Sequence, residues 1–482
     1  MTTTDLHTSP GPLFPALAVI GIYLILAATW MPGVAPRLYD DARYVELGML
    51  AIVMVLLSRP AVAQSLIISW NSLATSSRSL LLIFIVFGIA SALISGARNL
   101  GLLEIALIAQ LILLSAVVAG AVRSGRADAD KLLCVSIFAG AALCGLKFWV
   151  TYIQYAWEGK SFSWVSPFLD FANVRFFSQY QAYTLFLVTL PVFLFPANKV
   201  WRLFFFLVAA NFWAMHWMVG TRAAWLGYIV ALAVVLTFMP SCRTVWLRWH
   251  AGAMIAGGLI CYSFSTFINS RAVTDAVPGI GSIVERDYGS INERIALARI
   301  ALNDVQSHPL FGVGPGQFGL RPYAINAAHP HNVPLQLLAE YGLVAGAAGI
   351  WLGILLCVFA VRALRNQSPG ANHAVAATTV AGLLMGVTDA LFSGNLIMPQ
   401  SQVLFFVLAG WIVGRCFLVS RPIYTAGTLY RSQKLVIVSA GLFAAAITTV
   451  LALEYLPLAR ELPVWLPRWN PHFWQYGRVY NW

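Results

Sequence analysis

Charged residues are scarce in this sequence of 482 residues, of which only 10% are Asp, Glu, Lys or Arg. A soluble domain carries about 25% charged residues, so this shortage excludes an ordinary soluble domain. Hydrophobic residues make up 60% of the chain, and the mean hydropathy is +0.77. We therefore expect a polytopic membrane protein, whose length is counted in membrane spans.

Acidic residues are fewer than basic ones, with 18 Asp and Glu against 30 Lys and Arg, and the net charge is +12. In a soluble protein this excess would favour a nucleic-acid partner. Here the basic residues gather in short loops between apolar runs, as the positive-inside rule requires of cytoplasmic loops. The charge balance therefore indicates membrane topology, and we expect no nucleic-acid partner.

Cysteine patterns for disulfides or metals are also missing. The six cysteines lie in apolar runs or in a short basic loop, at spacings that match neither a disulfide framework nor a metal site. No Lys or Arg precedes Leu13, and no A-x-A cleavage pattern follows. The run 13–30 is thus predicted to be a retained first span rather than a signal peptide. We expect neither a metal ion nor a cofactor.

Apolar runs long enough to span a membrane occur along most of the chain. They are predicted near 13–30, 44–57, 79–95, 100–122, 132–156, 180–196, 200–217, 223–239, 250–268, 343–361, 374–391, 402–420 and 435–453. Because a span needs roughly 20 residues, these runs predict about 12 or 13 transmembrane helices. The fold class is therefore an all-α integral membrane protein.

Basic clusters fall in every second loop, which places those loops and the N-terminus in the cytoplasm. The opposite, periplasmic side then receives the loops 31–43, 96–99, 157–179, 218–222, 269–333 and 392–401. We expect four parts: an N-terminal transmembrane bundle of about nine spans (1–268), a periplasmic catalytic loop (269–342), C-terminal spans (343–453) and an aromatic interfacial tail (454–482). With 13 spans the tail also lies outside.

The long polar loop begins with a predicted helix. Ser290 and Glu293 form a capping box, which predicts a helix over about 291–306. Arg294 falls in its first turn, where the helix dipole disfavours a cation. This placement suggests an anionic partner for Arg294, and Glu293 is the plainer alternative.

A glycine-rich stretch follows the helix. Gly312, Gly314 and Gly316 resemble a phosphate-binding loop, but the Lys-Ser/Thr pair of a P-loop is missing. We predict a rigid turn that redirects the chain.

Two histidines stand before the next helix, in the stretch AAHPHNVPLQLLAEYG that ends at Gly342. Pro330 keeps His329 out of helical geometry, and Asn332 or Val333 is predicted to cap a helix that begins at Pro334. His331 would then lie beside a helix N-terminus, which attracts anions, and could act as a general base or phosphate ligand. A His-x-His pair can also bind zinc, although no third ligand is near.

Isolated arginines occur in the predicted outer loops, where the positive-inside rule does not explain them. These are Arg175, Arg222 and Arg294. Ionisable residues placed against the topological trend suggest a function. Anchoring at the membrane interface is the alternative for any one of them.

Arg294, the run SHPLFGVGPGQF at 307–318 and the run HPHNVPLQLLAEYGL at 329–343 together resemble the O-antigen ligase superfamily. That superfamily comprises O-antigen ligases, O-antigen polymerases and bacterial protein O-oligosaccharyltransferases. Its ligase motif is His, then Asn, Ser or Gln, nine residues, Gly, two residues, then Gly, Thr or Tyr. His331-Asn332 and Gly342 match this motif, and Ala345 stands at its last position.

Two further segments are similar to the family. MVGTRAAWLG at 218–227 and FANVRFFSQYQ at 171–181 contain its arginine patterns and place Arg222 and Arg175 in them. The resemblance covers roughly 165–415. It implies a glycan donor linked to undecaprenyl pyrophosphate and a metal-independent, inverting transfer.

The resemblance also implies roles for these residues. Arg222 and Arg294 would bind the pyrophosphate, with Arg175 a weaker third, because guanidinium groups bind phosphates in bidentate fashion. His331 would take the proton of the acceptor hydroxyl, and His329 is the second candidate base. The candidate substrate-binding residues are completed by Arg321 and Asn332.

The implied function is O-antigen ligation to lipid A-core in the bacterial inner membrane, with the active site facing the periplasm. Membrane lipid is a further partner, since the apolar surface between spans would hold the polyprenyl chain. Alternative acceptors are a protein of the pilin type or a second lipid-linked repeat, as in a polymerase.

Two other classes of membrane protein are alternatives. A carboxylate-dependent polyprenyl-phosphate-sugar transferase would use the acidic pair Asp40-Asp41, for which a solvated loop is the plainer explanation. A transporter would need paired ionisable residues near the bilayer midplane. Its candidates are Glu104, Lys147, Asn211 and His216.

Overall fold

The computed structural model describes residues 12–30, 32–124, 127–159, 166–239, 243–269, 289–320, 327–367, 370–419, 431–461 and 473–474. Within these ranges the chain consists of helices, turns and short connections and contains no strand. The predicted fold class, an all-α integral membrane protein, is confirmed.

The described helices are named in chain order. They are α1 (Phe14–Leu26), α2 (Leu38–Leu56), α3 (Pro60–Ser72), α4 (Thr75–Ile94), α5 (Arg98–Arg123), α6 (Ala127–Trp157), α7 (Val174–Thr184), α8 (Pro191–Leu194), α9 (Lys199–Val219), α10 (Arg222–Phe238), α11 (Arg243–Asn269), α12 (Gly289–Ser307), α13 (Val333–Asn366), α14 (Ala371–Ala390), α15 (Pro399–Val419) and α16 (Arg431–Glu461). Short 3₁₀ turns stand at Ser166–Phe171, Leu187–Thr189 and Phe318–Leu320.

Seven of the described helices are long and apolar enough to cross a membrane, judged by length and composition: α4, α5, α6, α9, α13, α15 and α16. The apolar helices α1 and α10 are shorter. The total of 12 or 13 spans stays a prediction.

The predicted span 180–196 is wrong as a continuous helix. α7 ends at Thr184, a 3₁₀ turn follows at Leu187–Thr189, and α8 begins at Pro191, which has no N–H to donate. Irregular backbone at membrane depth needs a protein environment that satisfies its polar groups. The segment meets this condition because α7 packs against α14 and α15 and its side chains from residue 176 to 184 are buried.

Helix α5 lies at the centre of the bundle, packed against α4, α15 and α16. A second group pairs α9 with α11 and α10 with α14, while α13 packs against α4 and α15. The loop helix α12 lies against α13. α12 begins at Gly289, one residue before the serine predicted to cap it. This packing places α12 near the start of α13, where the two histidines lie.

Loops predicted to share the periplasmic side meet at one end of the bundle. Hydrogen-bond contacts join these loops in pairs: Tyr39 to Ile397 (3.4 Å), Ala97 to Gln317 (3.1 Å), Ser178 to Thr221 (3.5 Å) and Asn332 to Leu391 (3.0 Å). Residues near the basic loops contact one another at the other end, where Arg415 binds Asp130 and Arg123 binds Ser72. The contacts between loops therefore agree with the alternation of sides that the charge pattern predicts for them.

Helix α13 changes direction at Gly342, whose φ of +77° is not helical. A Cβ at this position would lie 2.3 Å from the carbonyl oxygen of Leu310, so only glycine fits. The prediction that Gly342 turns a short loop helix into the next span is confirmed.

The predicted aromatic tail, 454–482, is described at 454–461, which continue α16, and at Phe473 and Trp474. The side chains of Phe473 and Trp474 are buried, and the interfacial position of the tail stays a prediction. The ring of Trp474 stacks on Tyr455 with centroids 4.0 Å apart.

Candidate active site

His331 lies in the histidine loop, residues 327–332, just before α13. Its side chain is half-buried and its φ is +54°, a left-handed conformation that costs energy for a residue with a Cβ. Such strain persists only where the surrounding contacts impose it, and it concentrates at functional sites. The backbone therefore points to His331 independently of its sequence motif.

His329 contacts both the backbone and the ring of His331. The backbone N–H of His331 donates to Nδ1 of His329 at 3.2 Å, and the two ring centroids are 4.3 Å apart. This bond leaves the proton of a neutral His329 on Nε2. His329 is 5% exposed, and its ring lies so close to Gly394 that a Cβ there would be 2.2 Å from Cε1. The structure thus gives His329 a supporting position.

The side chain of Asn332 hydrogen-bonds both to the start of α13 and to Leu391. Its Oδ1 accepts the N–H of Leu335 at 2.9 Å and caps α13, as predicted. Its Nδ2 donates to the carbonyl oxygen of Leu391 at 3.0 Å. Asn332 therefore fixes the helix N-terminus next to His331, and that terminus attracts anions.

Two arginines from distant segments act on His331. Arg294 is exposed on α12, and Arg175 is exposed in the first turn of α7, which Asn173 caps. Burial, then the positive charges of Arg294 and Arg175, lowers the pKa of His331 to about 4. The structure thus brings together three of the predicted site residues, and His331 is neutral at physiological pH.

The two arginines also act on each other. Burial and then the charge of Arg175 lower the pKa of Arg294, while the carboxylate of Asp389 acts in the opposite direction. Two guanidinium groups whose charges act on each other repel, and an anion bound between them would relieve this repulsion. The arrangement suits a ligand with more than one negative charge.

Asp389 is a site residue that the motifs missed. It is 1% exposed at the end of α14 and accepts hydrogen bonds from the hydroxyl of Ser393 and from Nδ2 of Asn395, the latter at 3.0 Å. Its charge reaches Arg294. An acid inside the apolar run 374–391 is unusual and could have been noticed from the sequence.

Arg222 starts α10 beside the same region. Thr221, which caps α10, has its Oγ1 3.5 Å from the hydroxyl of Ser178, one turn beyond Arg175 on α7. Arg222 is exposed. The arginines whose charges act on His331 are Arg294 and Arg175. The ranking of the three arginines as pyrophosphate ligands stays a prediction.

Arg321, the remaining candidate, lies outside the described residues. The glycine-rich turn before it is described, with φ of +67° at Gly312 and +111° at Gly314. Its N–H groups bond to α13, since Val313 N–H donates to Ala339 at 2.9 Å and Gly314 N–H to Glu340 at 3.0 Å. The prediction of a rigid turn is confirmed, and these two N–H groups are used within the protein.

The acidic pair of the carboxylate-dependent alternative is not in a solvated loop. Asp40 and Asp41 are buried in the first turn of α2. Asp41 accepts backbone N–H groups of the preceding turn, including that of Val34 at 2.7 Å, and Asp40 pairs with Arg37 at 3.5 Å. Both carboxylates therefore have a structural position. Among the described residues, no group of three or more His, Cys, Asp or Glu side chains could hold a metal ion.

Two of the transporter candidates contact the part of the chain around Arg175. Lys147 binds Asp170, in the turn that precedes Arg175. His216 Nδ1 lies 3.4 Å from Oε1 of Gln181 on α7. Both residues therefore have a contact with the part of the chain that carries Arg175.

The fold is that of a multi-pass membrane protein, and its candidate site combines a histidine of lowered pKa with two arginines whose charges act on it. Residues 203–350 match the family model described as O-antigen ligase. This match confirms the resemblance to the O-antigen ligase superfamily, a glycosyltransferase-type enzyme family. It includes Arg222, Arg294 and His331, whereas Arg175 lies before it. The comparison with curated proteins gives no match.

Proposed function

We propose that the protein transfers a glycan from undecaprenyl pyrophosphate to an acceptor hydroxyl on the periplasmic face of the bacterial inner membrane. The observation that carries this proposal is the neutral, strained His331 beside Arg294 and Arg175. A neutral imidazole can accept a proton, and two guanidinium groups match a pyrophosphate.

In the transfer, the acceptor oxygen attacks the anomeric carbon and its proton passes to His331. The bond from the anomeric carbon to the pyrophosphate oxygen breaks, and its electron pair leaves with the undecaprenyl pyrophosphate. Arg294 and Arg175, with Arg222 next to them, stabilise the charge that grows on this leaving group. Attack from the face opposite the leaving group inverts the anomeric configuration, and no step calls for a metal ion.

Binding of the donor also changes the pKa of His331, the proposed base. Burial and the two arginines hold the pKa of His331 down. A pyrophosphate compensates the positive charge, so the pKa of His331 rises when the donor binds. His331 therefore becomes a stronger base when a donor is present to react.

The test is transfer by the purified protein in liposomes that contain a lipid-linked glycan. His331→Ala should abolish transfer because no base remains, and membrane insertion should be unchanged. Near-normal transfer by this variant would refute the assignment. Addition of a chelator should leave the unaltered protein active, whereas metal dependence would favour the carboxylate-dependent alternative.

Within this function we propose lipid A-core as the acceptor, because His331-Asn332 and Gly342 match the ligase motif. A deletion strain distinguishes the alternatives. A ligase leaves lipopolysaccharide without O-antigen while the lipid-linked polymer accumulates. A protein oligosaccharyltransferase leaves lipopolysaccharide intact and a pilin unmodified, and a polymerase leaves single-repeat lipopolysaccharide.

A further inference from the structure

A buried arginine lies away from the histidines but contacts a loop that touches them. Arg43 on α2 is 1% exposed. Its Nε donates to the carbonyl oxygen of Phe473 at 3.1 Å, its Nη1 to Glu46 and to Gln402 (2.9 Å), and its Nη2 to the carbonyl oxygen of Ile397 (2.5 Å). One side chain thus joins α2, α15, the C-terminal tail and the loop 391–398.

The tail is held at this point by aromatic contacts as well. The ring of Phe473 lies 4.9 Å from the guanidinium carbon of Arg43. Trp474 stacks on Tyr455 at 4.0 Å and packs against Tyr44 at 5.3 Å. These contacts hold the carbonyl of Phe473 in the position that Arg43 requires.

The loop 391–398 makes two contacts with the histidine loop. The carbonyl oxygen of Leu391 accepts Nδ2 of Asn332 at 3.0 Å, and Gly394 lies directly against the ring of His329. Ile397, at the other end of this short loop, is the residue that Arg43 holds. A continuous set of contacts therefore runs from the tail through Arg43 to His329 and Asn332.

We propose that Arg43, with the tail residues Phe473 and Trp474, positions the loop 391–398 and through it the histidine loop. Arg43 is a positioning residue, because it acts on His331 only through this loop. Its geometry requires a guanidinium: it donates to acceptors in four separate segments of the chain, and the compact ammonium of lysine cannot reach them all. The inference rests on the proposed function only for its activity readout.

The test uses Arg43→Met and Trp474→Ala in the full chain, with Arg415→Met as the matched control. Arg415 is equally buried and binds Asp130 at 2.5 Å, but it lies at the opposite end of the bundle. Removal of Arg43 takes the ion-pair partner from the buried carboxylate of Glu46, and removal of Arg415 takes it from the partly buried Asp130, so both variants lose stability. Only Arg43→Met and Trp474→Ala should loosen the loop 391–398.

Hydrogen exchange of the backbone provides a readout besides activity. In Arg43→Met and Trp474→Ala, we expect at least about tenfold faster exchange in 391–398 and in the histidine loop. The kcat for transfer should fall about 10- to 100-fold with little change in the KM for the donor, because misplacement of a base by about 1 Å has this effect. Arg415→Met should leave both readouts unchanged.

If Arg43→Met does not fold, Trp474→Ala still tests the proposed positioning role. Unchanged exchange and kcat in Trp474→Ala would overturn the inference, as would equal losses in Arg415→Met. If the unaltered protein shows no transfer, the proposed function fails, and the exchange measurement still tests the positioning role.

Discussion

At the residue scale, His331 combines a strained backbone with a chemical environment that keeps its ring neutral. Its φ is +54°, and its N–H is held by His329. Burial and two arginines lower its pKa to about 4. A solvent-exposed histidine has a pKa of about 6.5 and would lose its capacity to accept a proton in mild acid.

The pH dependence of transfer should therefore differ from that of an ordinary histidine. For kcat/KM, which reports the free enzyme, we expect little change from pH 7.5 to pH 5 and a decline as the pH falls through about 4. An unperturbed histidine would already lose about 30-fold at pH 5. For kcat, the decline should begin at higher pH, because the bound pyrophosphate raises the pKa of His331.

Arg175→Gln provides the control for this prediction. Loss of one positive neighbour raises the pKa of His331, so the decline of kcat/KM should move to higher pH. A pH profile that is the same in both proteins would show that the charge of Arg175 does not act on His331.

The arginines of the site should not tolerate lysine. Arg222→Lys and Arg175→Lys keep the positive charge but lose the bidentate guanidinium, so transfer should fall about 100-fold or more if they bind pyrophosphate. Arg248→Lys, exposed on α11, should leave transfer unchanged. Full activity of Arg222→Lys, measured with the purified protein, would indicate that Arg222 only anchors the protein at the interface.

At the element scale, the site is assembled by helix ends and loops. α7 brings Arg175, α12 brings Arg294, and the start of α13 holds the histidine loop. The loop 391–398 packs beneath this loop, with Gly394 against His329. α7 ends at Thr184, in a region where hydropathy predicts a continuous span, and α14 and α15 pack against it.

Gly394→Ala should disturb the histidine loop. The added Cβ would lie 2.2 Å from Cε1 of His329, so the ring must move and its bond to the His331 N–H is strained. We expect transfer to fall about 10- to 100-fold in the liposome assay. Gly353→Ala is the matched control because a Cβ there meets no atom within 4 Å. Equal activity of the two variants would contradict a supporting role for His329.

At the scale of the whole molecule, the contacts between loops agree with the topology derived from charge. Loops predicted on one side of the membrane contact each other, and Arg415 and Asp130 lie together at the other end. Together with the positive-inside rule, this topology predicts that the site faces the periplasm.

Cysteine labelling in intact cells tests this orientation. Gln306→Cys, exposed near the end of α12, should react with a membrane-impermeant maleimide once the outer membrane is permeabilised. Cys242, in a predicted cytoplasmic loop, should react only after the inner membrane is opened. The reverse pattern would invert the topology and move the site to the cytoplasm.

The sequence by itself determined the membrane class, the alternation of loops, the rigid glycine turn, the cap at Asn332 and the change of direction at Gly342. These features follow from local properties: hydropathy, charge along the chain, and the backbone preferences of Gly, Pro and Asn. The motifs also named His331 and the arginines, although they did not show which arginines act on the histidine.

Only the tertiary structure decided which side chains support the site. The charge of Asp389 acts on Arg294, Gly394 contacts the ring of His329, and Arg43 joins the tail to the loop 391–398. In each case the partners are dozens to hundreds of residues apart in the chain. No local pattern encodes such pairs, because their contact depends on how the helices pack. The same packing buries Phe473 and Trp474, two residues of the predicted aromatic tail.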